Sequence, residues 1–420
     1  MRGMFGVLIG IFLFLALGVP QGGLQAWETG EGFYDSFADF LNGAYGVDEN
    51  AGLTALPVLN IPMGGKAEAM AGAFAAVADD VSFIEWNPAG SAMLETASLA
   101  FFHNNWIADT KIEAAAFSNK LGNVGFGAAA KWLYTPFTEY SEWGVRSSKG
   151  YYSEAVGTLN LSYNFFPGYY FPGFALGVNV KGGLRVMPDF AEYASETTGA
   201  FAVDVGVLTR INLFKFYDSR DKNMSFALVL RNFGPLVMDD PLPAVAVAGL
   251  AYKPFRPLSL SCDLSFPMNL TDMSLSEKPY FAFGLAVAIT SFFSMRGGFM
   301  IRAGGSRWTI GSAVEMNTIA IEVNYSLDLL TQFQSLNRVT VGVRFNLGDG
   351  GRGEKNKLVD ALYLQGIESY SNGDADAAAD LFNKALDINP LFDPALSALR
   401  AISAEDDTNS RIEGFGNYEY

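Results

Sequence analysis

Ile319 to Asp328 reads IAIEVNYSLD, and residues 339–347 read VTVGVRFNL. In the first stretch Ile319, Ile321, Val323, Tyr325 and Leu327 alternate with Ala320, Glu322, Asn324, Ser326 and Asp328. In the second, Val339, Val341, Val343, Phe345 and Leu347 alternate with Thr340, Gly342, Arg344 and Asn346. Successive side chains of a strand point to opposite faces, so a period of two gives one greasy face and one able to meet water. Residues 258–266 repeat the pattern, with Leu258, Leu260, Cys262, Leu264 and Phe266 against Ser259, Ser261, Asp263 and Ser265. A soluble sandwich shows the same alternation; strand number, aromatic load and loop pattern separate the two.

Working outward, residues 97–347 divide into fourteen such segments, separated by Gly, Pro, Asn, Asp and Ser. An even number brings both ends of the series to one side, as in outer-membrane barrels. Long connections (135–150, 187–198, 267–278, 328–336) are all odd-numbered, and tight ones such as Pro167-Gly168 and Met316-Asn317 are even-numbered. Two odd connections, 106–110 and 303–305, are short. Half of the chain is apolar, with 35 Phe and 18 Tyr among 420 residues, yet past the N-terminus no run matches the roughly 18 apolar residues of a spanning helix. High apolar content without spanning helices points to a β-barrel in a membrane. The net charge of -16 argues against nucleic acid as a partner.

Before the strands, Met1 to Ala26 reads as a secretory signal: a basic start, an apolar middle and a small-residue end. Residues 27–62 are polar and acidic, a periplasmic lead-in. Residues 63–96 follow, opening MGGKAEAMAGAFAAVADDVSFIEWNPAG, with too few large side chains for a core of their own. Pro88 fixes its own φ and pushes Asn87 out of the helical region, so a turn is expected there. This stretch resembles the plug, or hatch, of the FadL family of outer-membrane transport proteins. Gly64, Gly65, Ala67, Met70, Gly72, Phe74, Asp79, Asp80, Trp86, Asn87, Pro88 and Ala89 fall on its pattern, while position 71 carries Ala where many members have Gly. The bland alternative is a small-residue helix in a soluble core. The resemblance implies a fourteen-stranded wall closed from within, with ligand captured among outer loops and leaving sideways into the bilayer.

After Leu347, the Gly-rich residues 348–357 read as a linker. Beyond it the period becomes helical, and Gly366, Tyr370, Gly373, Ala378, Phe382, Ala385 and Pro390 make 358–403 resemble a tetratricopeptide segment. One repeat buries too little alone, so it is expected to lean on the barrel rim or on a partner. Residues 404–420 read as a disordered tail. The fold class expected is therefore an all-β membrane β-barrel of about 14 antiparallel strands, with an N-terminal plug and a small α-helical C-terminal domain. The combination resembles an uncharacterised spirochaete branch of FadL-like proteins.

No enzyme constellation is legible. One cysteine, Cys262, excludes an internal disulfide, and one histidine, His103, argues against His-based triads or metal sites; no cofactor or metal is expected. Asp79-Asp80 reads as a solvated helix-ending pair, with acid/base or cation chemistry the alternative. Phe74, Trp86, Asn87, Pro88 and Ala89 are candidates for a ligand path along the plug. Arg296, Arg302 and Arg344 are candidates for an anionic headgroup, with pairing to Glu322 or Asp263 in the lumen as their other role. The resemblance implies a passive transporter in the bacterial outer membrane, with a fatty acid-like hydrophobic small molecule as ligand, outer-membrane lipid around it and the C-terminal domain periplasmic. The rival is a non-transporting scaffold or secretion-system shuttle that recruits a periplasmic protein through 358–403.

Overall fold

The structure, a computed structural model, describes residues 48–106, 109–188, 195–217, 221–329 and 336–416. The stretch expected to be a secretory signal, residues 1–26, and residues 27–47 of the expected lead-in lie outside the described residues. Fourteen strands form one closed antiparallel barrel: β1 (Ala97–Asn105), β2 (Lys111–Leu121), β3 (Val124–Tyr140), β4 (Arg146–Phe165), β5 (Phe174–Met187), β6 (Glu196–Ile211), β7 (Met224–Phe233), β8 (Ala244–Phe255), β9 (Leu258–Met268), β10 (Tyr280–Ala288), β11 (Phe293–Ile301), β12 (Ser306–Glu315), β13 (Ile319–Leu329) and β14 (Leu336–Gly348). β14 returns to pair with β1, so no strand edge is left open. No helix among the described residues is long and apolar enough to cross a membrane.

The period of two orients the wall. Val323 and Val341 are 46% and 41% exposed on the outer face, whereas their neighbours Glu322 and Thr340 are each 1% exposed. A continuous apolar outer surface is the face such a barrel offers to lipid. The inward polar residues do not meet a water-filled channel. They meet residues 55–94, which fill the lumen and supply its largest apolar cluster, including Met70, Phe74, Phe83 and Ile84.

Several boundaries differ from the sequence expectation. The connection after β3 is 141–145 rather than 135–150, because β3 and β4 keep pairing from Thr135↔Tyr152 to Glu139↔Ser148. Alternating bulky and polar side chains support a strand beyond the lipid as well as within it. The even connection 212–223 is long. Residues 48–62 and the C-terminal helices, both expected on one side of the membrane, lie at opposite ends of the barrel. Asn50 donates to Ser276 at 3.2 Å, Ala55 to Pro241 at 2.9 Å, and Lys278 donates to Asp48 at 2.7 Å, all in odd-numbered connections. The segment therefore occupies the loop end of the barrel, opposite the end that carries Ala97 and Gly348.

The C-terminal unit sits at that other, terminal end. Its helices are α3 (Arg352–Ser371), α4 (Ala375–Ile388) and α5 (Asp393–Gly416), after two short plug helices, α1 (Gly65–Ala69) and α2 (Phe83–Trp86). The linker thus shrinks to 349–351, and the segment expected as a tail is helical to Gly416, with 417–420 outside the described residues. Gly366, Ala378, Phe382 and Ala385 are buried in the helical core as expected; Tyr370 is 39% exposed. The unit does lean on the rim: the Tyr169 ring in the β4–β5 turn meets Phe392 edge-on at 5.3 Å, and Arg352 donates to the Lys120 carbonyl at 3.0 Å.

Candidate functional site: the plug and its seat

The plug contains little regular structure, so its backbone amides and carbonyls lack partners of their own and must find them in the wall. Inward side chains supply them, strand after strand. Asn324 on β13 donates to the Gly65 carbonyl at 2.9 Å, Thr309 on β12 to Ala69 at 2.8 Å, and Ser261 on β9 to Ala73 at 2.7 Å. One carboxylate oxygen of Asp263 receives the amides of both Phe74 and Ala75, at 2.9 and 2.8 Å. Asn179 on β5 donates to Ile84 at 2.8 Å, and Asn160 on β4 to Pro88 at 2.9 Å. Two ion pairs add to this: Glu68 with Arg338 at 2.8 Å, fully buried, and Glu85 with Lys131, partly buried.

Close approach requires glycine on the wall. A Cβ on Gly177 would lie 2.2 Å from the Pro88 carbonyl oxygen, on Gly125 2.2 Å from the Ala92 amide, and on Gly298 2.3 Å from the Met70 carbonyl carbon. The plug thus lies against the strands backbone to backbone, with small residues facing small residues. Ala71, the departure from the plug pattern, has φ +53°, a left-handed conformation in which Gly carries no Cβ penalty.

The candidate path residues are brought together, but as a fastening. Asn87 is fully buried; its amide donates to Ala75 at 2.8 Å and to Val207 at 3.3 Å, and its oxygen accepts from Ala89 at 3.0 Å. Pro88 and Ala89 begin the 3₁₀ turn Pro88–Met93 that leads to β1. Phe74 is buried in the plug core, and Trp86 lies against Gly72 with the Arg231 guanidinium 4.6 Å from its ring centre.

Of the three candidate headgroup arginines, Arg296 and Arg344 come together around Glu315 and line one cavity, Arg302 lies apart, and each has an acidic partner. Arg302 pairs with Glu277 at the loop end. Arg296 pairs with Glu322 at 2.6 Å, and Arg344 reaches Glu315 at 3.3 Å and Asp80 at 3.7 Å. Asp79-Asp80 is not a solvated pair: Lys66 holds Asp79 at 2.6 Å, and Asp80 accepts from the Ser82 amide at 2.9 Å. Burial pushes the Asp79 carboxyl up, but Lys66, Lys253 and Arg210 outweigh it and hold it below the usual carboxylate range. His103 faces outward and meets Glu113 at 2.8 Å, and Cys262 is a partly exposed free thiol.

A family model of uncharacterised proteins matches residues 47–350, which is most of the chain and covers the plug and the whole wall. The chain belongs to the uncharacterised protein family UPF0164. Among its relatives, a UPF0164 protein of Treponema pallidum (strain Nichols) is 28% identical over 358 residues, covering 81% of this chain and 80% of the relative. A second from the same organism is 21% identical over 389 residues, covering 85% and 77%. These are spirochaete proteins, as the sequence resemblance led one to expect. Of solved structures, a mutant of the TodX monoaromatic hydrocarbon channel matches with TM-score 0.42 at 10% identity, covering 63% of this chain and 94% of that one. CdiB from Acinetobacter baumannii matches with TM-score 0.38 at 10% identity, covering 59% and 60%. Likenesses this loose carry no argument. The UPF0164 match ends before α3, so the helical unit lies outside it.

What sequence reasoning missed is the seat: Asn160, Asn179, Thr309 and Asn324, each buried on the inner face of its strand, together with Asp263, expected as a partner of the lumen arginines but found accepting plug amides. The signal was present as amides and hydroxyls at inward positions of otherwise apolar strands. Water in the lumen satisfies such groups equally well on paper, so the pattern alone could not name the plug as their partner.

Proposed function

We propose that this protein is an outer-membrane channel for hydrophobic small molecules, fatty acid-like amphiphiles among them, in which the plug is the gate. The observation that carries this reading is how the plug is held. It adds no strand to the wall ladder and is fastened by separate side-chain hydrogen bonds and a few ion pairs, so it can shift while the strand-to-strand bonds stay intact. The plug motif supports the FadL-like ligand class. A greasy ligand gains about 0.8 kcal/mol per CH₂ kept from water, which suits a lumen opening toward lipid. With the terminal end in the periplasm, α3–α5 face the periplasm and residues 48–62 face outside. Uptake of a fluorescent long-chain fatty acid by cells making the protein tests the reading. Wild type is expected to exceed the empty-vector control, and the double variant N87A/P88A is expected to alter uptake with β content unchanged. Equal uptake in all three overturns it.

The scaffold reading rests on a different observation. A groove of about 560 Å³ between the helices and the β4–β5 turn is lined by Tyr169, Tyr170, Tyr363 and Tyr370. Such a tyrosine-lined groove suits a peptide, and this reading expects a stable complex that is lost when 352–416 are removed while the barrel still folds.

A further inference from the structure

Between the plug and the terminal mouth lies a polar cavity of about 720 Å³, within the range of small-molecule sites. Three of its cations are committed to carboxylates: Lys66 to Asp79, Arg296 to Glu322, and Arg344 to Glu315 and Asp80. Two others are not. Among the described residues the Arg210 guanidinium hydrogen-bonds only the Val77 carbonyl, at 3.4 Å, and the Lys253 ammonium has neither a hydrogen bond nor an ion pair. This is not for lack of acids, since Asp79, Glu95 and Asp221 line the same cavity. Register places the two cations on either side of a hydroxyl: Arg210 on β6 faces Ser225 on β7, Ser225 faces Ala251 on β8, and Lys253 follows two residues on. β6 and β8 are two strand spacings apart, about 10 Å, so both long side chains can converge on one group above Ser225. Asp79 acts on both only at longer range, without a direct ion pair. A partly buried cation without a direct partner is costly, and a planar guanidinium beside an ammonium and a hydroxyl matches an oxyanion in both charge and donor geometry.

We propose that Arg210, Lys253 and Ser225 form an oxyanion site at the terminal mouth, which takes the carboxylate or phosphate of a small molecule. The ligand is either the head of an amphiphile that has passed the plug, a source that rests on the channel reading, or a soluble anion entering from the mouth, which does not. The site shares its cavity with Arg296 and Arg344, whose charges are already balanced, and stands apart from Arg302 at the loop end.

Calorimetric titration of the full-length protein in a non-ionic detergent with laurate, dodecanol, acetate and inorganic phosphate tests it. Wild type is expected to bind at least one of the three anions. The double variant R210Q/K253Q is expected to lose about tenfold or more in affinity for it, while dodecanol is unaffected. The exchanged pair R210K/K253R, which keeps both charges, is expected to retain most of the binding, and heat-modifiable gel migration checks that each variant is folded. Laurate binding without acetate or phosphate assigns the amphiphile; acetate or phosphate binding assigns the soluble source. Unchanged anion affinity in a folded R210Q/K253Q overturns the site, as does a wild type that binds no anion or one that binds laurate as its only anion and dodecanol equally tightly. Phosphate binding with neither laurate nor dodecanol binding leaves the site standing and counts against the channel.

Discussion

Asp263→Ala removes the carboxylate oxygen that receives the Phe74 and Ala75 amides at 2.9 and 2.8 Å. A hydrogen bond to a charged group contributes about 1.5–3 kcal/mol, so two lost together set an upper range of about 3–6 kcal/mol. Part is returned, because the other oxygen of Asp263 is buried without a partner, and removing an unsatisfied polar atom relieves about 1–3 kcal/mol. Plug docking is therefore expected to weaken by about 2–4 kcal/mol. The wall keeps its ladder, since residue 263 pairs with Gly249 and Ala282 through backbone alone. Asp263→Asn, which keeps one acceptor oxygen, is expected to fall between the variant and wild type. Hydrogen exchange of the full-length protein in detergent reads this directly, comparing peptides over 70–78 with peptides over 339–347. At about 1.4 kcal/mol per tenfold, plug amides are expected to exchange roughly 30- to 1,000-fold faster while wall amides stay unchanged. Plug exchange at the wild-type rate would refute the seat. Plug and wall speeding up by the same factor would refute the independence of the two, and with it the gate.

Arg at Val323 or Val341 is expected to cost about 2–4 kcal/mol near the lipid midplane, measured by urea titration of refolding into vesicles; no cost would remove the outer face from lipid. Ala71→Gly relieves a left-handed alanine and is expected to stabilise the plug by about 1 kcal/mol, seen as slower exchange over 70–78. Phe382→Ala is expected to destabilise the helical unit by about 3–5 kcal/mol, with proteolysis confined to 352–416 and heat-modifiable migration of the barrel retained.

The wall was legible because its period of two persists and each outward residue had to be apolar. Ile319, Ile321 and Val323 state that requirement without ambiguity. Helix and strand ends were less so: Thr135 to Tyr140 reads as a loop once membrane span is assumed, yet those residues simply continue pairing with β4. The plug was legible from its small residues and Asn87-Pro88, since few other folds call for that composition. Its route was not, because hydrogen bonds such as Asn324 to Gly65 join residues 259 apart in sequence and leave no local trace. Arg296 and Arg344 look like free charges in a sequence and become neutralised only when Glu322 and Glu315 arrive from strands two places along the wall. Arg210 and Lys253 look no different, and only the assembled lumen shows that neither forms an ion pair among the described residues.

The route of the plug also bears on how the molecule is made. Residues 48–62 lie at the loop end, the stretch after Pro88 returns to the terminal end, and the segment between them is bonded to strands all round the circumference. An empty barrel that closed first would have to draw this segment through a finished ring and then seat it against Gly125, Gly177 and Gly298, where there is no room for even a methyl group. It is simpler for the strands to gather around the segment as they pair, so that the plug acts as a mandrel and the β1–β14 seam, which joins the two ends of the strand series, is the last to zip. A variant with a weakened seat should then be slow to assemble, even where the finished barrel is as stable as wild type.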